Sequence, residues 1–523
     1  MKVLVVTGLK AKAMVENYVQ MRKSKVEVDV FTLPIPVAAL ITPAYAAKKL
    51  AEAGLKGYDL ILMPGSIRGS VEPVGEALKI PVFKGPRHAA DLPEILDHLE
   101  ELTLSPVKPA CELAAEILAG RIEAEVKALR MEALRRAEAG LGILLQRGEA
   151  KAWWAPGFQP ILLAEIADAS RMGDEEIGRV ARWYVKSGAD MVDVGMEAGG
   201  GKPDEAERAV KAVLKAVKVP VSIDSADPEE LLAGVRAGAS LILSGDASNL
   251  KALREVRDVP IVVTPAGRDG TIPENFLERV ERLEENLAEA SRLGFKRLIA
   301  DPILSLAPPY SLLDSILGYW EFSRRKPGFP TFFGAGNVTE LSEVDSPGLN
   351  FALALLGWEL GVAFLFTVEA SRKTVGSVSE LSKALNMLAL ASKRRTPPKD
   401  LPLNLLILKE KRCREEPPTP GERPERLIKV NRADESFHRD PKGSFKIRVD
   451  REHGEILVLH YEAGAGRPST AIRGSRPEAI YRAIVRENLI SLPDHAAYLG
   501  FELGKALVAL KTGRSYVQDE DVF

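Results

Sequence analysis

Along the middle of the chain, short apolar runs each end on a small or polar group: Glu165, Asp193, Asp224, Ser244 with Asp246, Thr264, Asp301, Gly334 with Asn337, and Glu369. Asp193, Asp224 and Asp301 lie inside or directly after those runs, where a carboxylate taken out of water must be paired or face a ligand. The chemistry open to this set is narrow. All six histidines (His88, His98, His438, His453, His460, His495) and both cysteines (Cys111, Cys413) fall outside residues 159–395. Zinc sites built on imidazole or thiolate, cysteine nucleophiles and Ser-His triads are thereby excluded from that region. What remains is carboxylate, amide, lysine and arginine, a set suited to hydrogen-bonding a polar heterocycle or to handling Mg²⁺ and phosphate through oxygen.

The runs themselves are Ile161 to Ile166, Met191 to Val194, Val219 to Ile223, Leu241 to Leu243, Pro260 to Val263, Arg297 to Ala300, Thr331 to Phe333 and Val362 to Phe366. They recur at roughly 20 to 35 residues, the spacing of βα units with crossover helices. Asp174 to Lys186, Asp204 to Val217, Pro273 to Leu293 and Val378 to Ala391 carry apolar stripes with charged faces and are predicted helices. Continuously apolar strands indicate a parallel sheet covered on both faces. Eight in a row predict a (β/α)8 TIM barrel with its site at the carboxyl ends of the strands. Acids after strands also serve plainly as helix caps, and Asp174, Asp204 and Asp227, each opening a helical run, are expected to do so.

Four segments carry a family resemblance: Gly188-Ala189-Asp190-Met191-Val192-Asp193-Val194-Gly195-Met196-Glu197, Val219-Pro220-Val221-Ser222-Ile223-Asp224-Ser225, Ala237-Gly238-Ala239 and Ala300-Asp301-Pro302. Together they resemble the pterin-binding barrels, which include dihydropteroate synthase and the methyltetrahydrofolate methyltransferases. The resemblance implies that Asp193, Asp224 and Asp301 hold the amino-pyrimidine edge of a pterin substrate, with Ser244 near the family's asparagine after strand four and Gly334 completing the set. A carboxylate accepts paired hydrogen bonds from such an edge much as it does from arginine.

The chain also departs from the synthases. Glu165 stands where they carry an asparagine near metal and diphosphate, and Thr367-Val368-Glu369 stands where they carry an Arg-x-His phosphate clamp. Gly334-Ala335-Gly336-Asn337-Val338-Thr339 is closer to the methyltransferase branch, although Asn337 also suits a plain turn. Arg372 and Lys373, read as two cations opening a helix, are the candidate phosphate ligands. Glu165 and Glu369 would repel a diphosphate unless Mg²⁺ intervened. Glu165 is thus a candidate metal ligand or a base for an arylamine proton, and Asn337 a second catalytic candidate.

The 523 residues suggest several domains. Residues 1–108 read as a flavodoxin-like α/β domain, with strands at Lys2 to Thr7, Lys25 to Thr32, Leu60 to Met63 and Pro81 to Phe83; Pro64-Gly65-Ser66 resembles a ligand-facing loop of such a sheet, and a purely structural or interface role for the domain is the other reading. Residues 109–158 read as a helical connector, with helix from Cys111 to about Gln146 and Trp153 and Trp154 plugging the barrel's bottom. The barrel takes 159–395, and the proline-rich, charged stretch 396–430, including Glu415 to Pro424, reads as a linker. Residues 431–523 read as a C-terminal α+β domain, with a hairpin of Phe445 to Val449 and Ile456 to Tyr461 and helices Pro477 to Glu487 and Asp494 to Lys511. His495, at a helix start, suits a cap or a satisfied surface group.

A net charge of −2 argues against a nucleic-acid partner, and no run is apolar and long enough to span a membrane. Two cysteines give no disulfide framework, so a cytoplasmic setting is expected. Scarce glutamine beside abundant Glu, Arg and Lys leans toward a thermophile. The tail, through Asp440-Pro441-Lys442-Gly443-Ser444-Phe445 and Tyr516-Val517-Gln518-Asp519, resembles part of the corrinoid-carrying subunit of tetrahydromethanopterin methyltransferase, and the whole arrangement is similar to the dihydropteroate synthase-related proteins of archaea. The resemblance implies a homodimeric synthase joining a hydroxymethyl-dihydropterin diphosphate to an arylamine for a methanopterin- or folate-type cofactor. The alternatives are a pterin-dependent methyltransferase acting with a corrinoid partner protein and a non-catalytic pterin-binding subunit.

Overall fold

The computed structural model describes residues 1–399, 401, 403–410 and 438–522, so the expected linker segment from Glu415 to Pro424 lies outside the described residues. Two compact units are distinguished, Met1–Leu405 and Leu406–Phe523. The first opens with a parallel sheet of β1 (Lys2–Gly8), β2 (Glu27–Leu33), β3 (Leu60–Met63) and β4 (Val82–Lys84), in the order β2-β1-β3-β4. Alternate residues of its strands feed two separate cores. Val3, Val5 and Leu62 pack with Val15, Val19 and Ile95 on one side, and Leu4, Val6, Ile61 and Met63 with Ile41, Leu50 and Val74 on the other.

Helix Ala115–Glu138 follows, but it does not run to Gln146. Gly140, at φ 78, ends it, and β5 (Ile143–Arg147) pairs antiparallel with β6 (Ala150–Trp154) across a turn at Gly148, where φ is 58. The apolar spacing at Ile143 to Leu145 continues the helical stripe, so only the glycines mark the change.

The barrel strands are β7 (Ile161–Ile166), β8 (Met191–Gly195), β9 (Val221–Asp224), β10 (Leu241–Gly245), β11 (Ile261–Val263), β12 (Leu298–Ala300), β13 (Phe332–Gly334) and β14 (Phe364–Val368). All pair in parallel in the order β12-β11-β10-β9-β8-β7-β14-β13, and a parallel bridge between Ala300 and Thr331 closes the ring. The fold is the (β/α)8 barrel the spacing predicts. Its lower interior is filled by Ile161, Leu163, Met191, Leu241, Leu243, Val262, Ile299, Phe332, Phe364 and Phe366, together with Leu145, Ala152 and Trp154 from the hairpin. Trp154 thus plugs the bottom. Trp153 faces away and donates its indole N–H to the Arg130 carbonyl at 2.9 Å.

Of the three acids expected to cap helices, only Asp227 does, accepting from the Glu229 N–H at 2.9 Å. Gly173 and Lys202 occupy the other two cap positions, and Asp174 and Asp204 sit in the first turns without a cap bond. They still oppose the helix dipole favourably, and Asp174 also binds Arg208 at 2.6 Å.

In the second unit, β15 (Ser444–Asp450), β16 (Glu455–Tyr461) and β17 (Thr470–Gly474) form an antiparallel meander, its last strand unanticipated from sequence. Helices Pro477–Arg486 and Pro493–Thr512 cover one face through Ile480, Ile484, Leu499 and Leu503. His495 is no surface group. It is buried against Asp440, which also accepts from the Ser491 hydroxyl and the Leu492 N–H.

Candidate functional site

Strand register decides which acids meet. Interior parity runs Ile161, Leu163, Glu165 on β7 and Met191, Asp193 on β8, while Val221 and Ile223 face outward and leave Ser222 and Asp224 pointing in. Glu165 pairs in register with Asp193, Asp193 with Ser222, and Gly195 with Asp224. Three carboxylates from neighbouring strands therefore converge above the apolar plug, with oxygens of Glu165, Asp193 and Asp224 all within 4.8 Å of one another. A methyl group on Gly195 would collide with the Glu165 carboxylate, so that glycine makes room for the acid.

Among the described residues, no lysine or arginine offsets the charge of the cluster. Asp193 has no exposed surface; its Oδ1 accepts from the Ser222 hydroxyl at 2.6 Å, and its Oδ2 is buried with no partner. Burial, followed by repulsion from Asp224 and Asp168, pushes the Glu165 carboxyl up to about 8. Burial and then repulsion from Asp224 and Glu165 raise Asp193 well above the usual range, against the Ser222 bond. Burial raises Asp224 too, opposed by a hydrogen bond from Ser244. Such a site holds protons when empty and favours any ligand that brings positive charge or N–H donors.

Ser244 reaches Asp224 through a backbone irregularity. On β10 the interior parity falls on Leu241 and Leu243, which would turn Ser244 outward, but its φ is 61 and the β10–β11 register shifts between Ile242 and Gly245. A left-handed serine costs about 1 kcal/mol or more, a strain that concentrates at functional sites. Asp301, on the interior parity after Ile299, accepts from the Ile303 N–H and the Tyr319 hydroxyl, each at 2.8 Å. Burial outweighs those bonds, and its carboxyl rises to about 6.

Over its full length the chain is 35% identical to an uncharacterized protein of Methanocaldococcus jannaschii, in an alignment of 544 residues covering 100% of this chain and 99% of that one. Residues 167–346 match the family described as Pterin binding enzyme. The chain belongs to that protein's family, and the family match to Pterin binding enzyme lies within its barrel. Residues 439–519 match PterinBD-DUF4346, and residues 1–87 match a family of unknown function, DUF6513. Among solved structures, dihydropteroate synthase of Xanthomonas albilineans in complex with 7,8-dihydropteroate is 20% identical with a TM-score of 0.38, covering 47% of this chain and 98% of its own. A dihydropteroate synthase of Coxiella burnetii in complex with pteroic acid is 18% identical with a TM-score of 0.39, over 48% and 98%.

The mouth of the barrel gathers Glu165, Asp193, Asp224, Ser244 and Asp301, and leaves other candidates aside. Glu369 does not join Glu165: its Oε2 accepts from the Trp183 indole at 3.1 Å and its Oε1 from the Val378 N–H at 3.0 Å, which ties β14 to helices Asp174–Lys186 and Ser377–Arg394. Asp246 closes a local turn onto Ser248, and the Thr264 carbonyl is held by Asn286. Asn337 lies in helix Ala335–Glu340, exposed, with its amide donating to the Leu304 carbonyl at 3.1 Å; it folds close over Gly334, where a Cβ would meet Asn337 Nδ2 at 2.8 Å. Arg372 and Lys373 do not open a helix, because Gly376 is the cap of Ser377–Arg394. Arg372 is exposed, and Lys373 is spent on the Ser342 carbonyl at 2.8 Å and Glu343 at 3.3 Å.

Two partners at this mouth escaped the sequence reading. Ser222 sits one residue from an outward valine, and only strand parity and register mark it as the neighbour of Asp193. Tyr319, in helix Leu312–Arg325, is 18 positions from Asp301 and carries no local signal at all.

Proposed function

We propose that the barrel binds a reduced pterin through Asp193, Asp224 and Asp301 and acts as a dihydropteroate synthase-like transferase, joining a hydroxymethyl-dihydropterin diphosphate to an arylamine. The observation that carries this reading is the buried Asp193 Oδ2 beside Asp224, which among the described residues has neither a hydrogen-bond partner nor a neighbouring cation. The N–H groups of an amino-pyrimidine edge would satisfy it, as charge-assisted hydrogen bonds do for buried carboxylates.

In the reaction the amine nitrogen forms a bond to the pterin methylene carbon as the carbon–oxygen bond to diphosphate breaks, the electron pair leaving with diphosphate. The three aspartates fix the ring and so the methylene position, which is where most of the rate gain of such a displacement lies. Glu165, once ionised, accepts the proton the amine sheds. In place of that base role, Glu165 is the residue that would hold Mg²⁺, which the all-oxygen donor set fits. When bound, the ion supplies charge stabilisation for the leaving diphosphate.

Purified protein given Mg²⁺, the pterin diphosphate and either para-aminobenzoate or a ribofuranosyl-aminobenzene phosphate should release diphosphate with one of the two amines. Release with neither rejects the synthase reading. One observation favours a second reading, methyl transfer from a methylated tetrahydropterin to a corrinoid partner protein. Lys373 is already engaged and Arg372 points to solvent, so the segment after β14 offers little grip on a diphosphate. Loss of the methyl group from a methylated tetrahydropterin, only when a corrinoid protein is added, would select it.

A further inference from the structure

We propose that the N-terminal sheet carries a second ligand site, one for the phosphate or carboxylate group of a small molecule, at the carboxyl ends of β1 and β3. The order β2-β1-β3-β4 sends the connection from β1 to one face of the sheet and the connections on either side of β3 to the other. Between β1 and β3 the loops part in opposite directions and leave a crevice, the position where open parallel sheets bind ligands.

A cavity of about 80 Å³ lies at that point, lined by Thr7, Ala11, Val15, Met63, Ser66 and Arg87 among others. Its volume admits a group the size of a few waters and no ring system, so a longer ligand would insert only its terminal group. The polar lining selects the charge of that group. Thr7 is only 2% exposed, and its hydroxyl has no hydrogen-bond partner among the described residues. The Ser66 hydroxyl is likewise unbonded there, Arg87 brings a guanidinium that Glu112 pairs from outside the lining, and no carboxylate is among the described lining residues. A buried Thr7 hydroxyl and a partly exposed Ser66 hydroxyl beside a guanidinium match an oxyanion.

The loop that presents Ser66 is held in place. Lys84, 5% exposed, donates its Nζ to the Ile67 carbonyl at 2.9 Å and so fixes the loop from beneath. Gly65 packs so tightly that a Cβ would strike the Gly85 carbonyl, and Arg87 is braced by Glu112. Apolar Val15 and Met63 shield the floor from water, which strengthens the polar contacts above.

The test is independent of the barrel. Inorganic phosphate is titrated into the full-length protein by calorimetry, with acetate in a parallel arm to separate a phosphoryl from a carboxyl preference. Saturable binding of one anion per chain is expected, weakened by about tenfold or more in the near-isosteric Thr7→Val, Ser66→Ala double variant, and unchanged in an Arg372→Ala, Lys373→Ala variant. Saturation by neither anion, or loss that follows Arg372 and Lys373 instead of Thr7 and Ser66, would overturn the proposal.

Discussion

Ser222 and Asp193 stand side by side in the register of β8 and β9, and their 2.6 Å hydrogen bond uses one carboxylate oxygen while the other is buried without a partner among the described residues. The bond opposes the rise in the Asp193 carboxyl's proton affinity. Ser222→Ala should therefore leave Asp193 more fully protonated and weaken pterin binding at neutral pH by about tenfold, the worth of one bond to a charged group. Fluorescence titration with a reduced pterin measures this. Unchanged affinity would mean that ligand recognition does not depend on ionised Asp193.

Asp224→Asn replaces an acceptor with an amide in the middle of the cluster and should cost about 2 kcal/mol or more of pterin binding, roughly thirtyfold. Asp204→Asn, in the first turn of a distant helix and without a cap bond, should cost less than about 0.5 kcal/mol of stability and nothing in binding. Equal effects from the two would sink the assignment.

The Glu165 carboxyl gives a pH dependence with a definite sign. It keeps its proton up to about 8 in the folded chain, against an ordinary value of 4.5. Between those values the folded state binds more protons than the unfolded one, so stability falls as pH rises through the window and levels off above it. Chemical denaturation at pH 5 and pH 8 should show the loss in the natural protein and a smaller one in Glu165→Gln. Pterin affinity should move the opposite way, rising with pH as the acids ionise. An affinity that falls over this range would argue that the ligand receives a proton donor.

Tyr319 places one hydroxyl within 2.8 Å of both Asp301 Oδ1 and the Phe332 carbonyl. Removing it with Tyr319→Phe should cost about 1 to 2 kcal/mol of stability. It should also raise the Asp301 carboxyl above about 6, because the hydroxyl favours the ionised form. The pH at which pterin binding reaches half its maximum should shift upward with it, a readout that lost packing would not produce.

Gly195→Ala puts a methyl group into the Glu165 carboxylate. Turnover should fall by at least about tenfold with pterin binding largely kept, since the aspartates are not displaced. Full activity would remove Glu165 from the chemistry.

The sequence by itself determined the barrel, its eight strands and the inward position of Asp193, Asp224 and Asp301, because parallel strands buried on both faces leave an apolar signature and side chains alternate with a period of two. Everything set by the pairing of distant strands was left to tertiary structure. Glu369 and Glu165 both follow apolar runs, yet register joins only Glu165 to the acid cluster and sends Glu369 to Trp183 and Val378. Ser244 reaches Asp224 only through a left-handed backbone at φ 61, and Tyr319 reaches Asp301 from a helix whose local spacing says nothing of it. The hairpin at Ile143 hid for a related reason, since three apolar residues fit a helix stripe or a strand equally well until the barrel floor supplies the neighbours that decide between them.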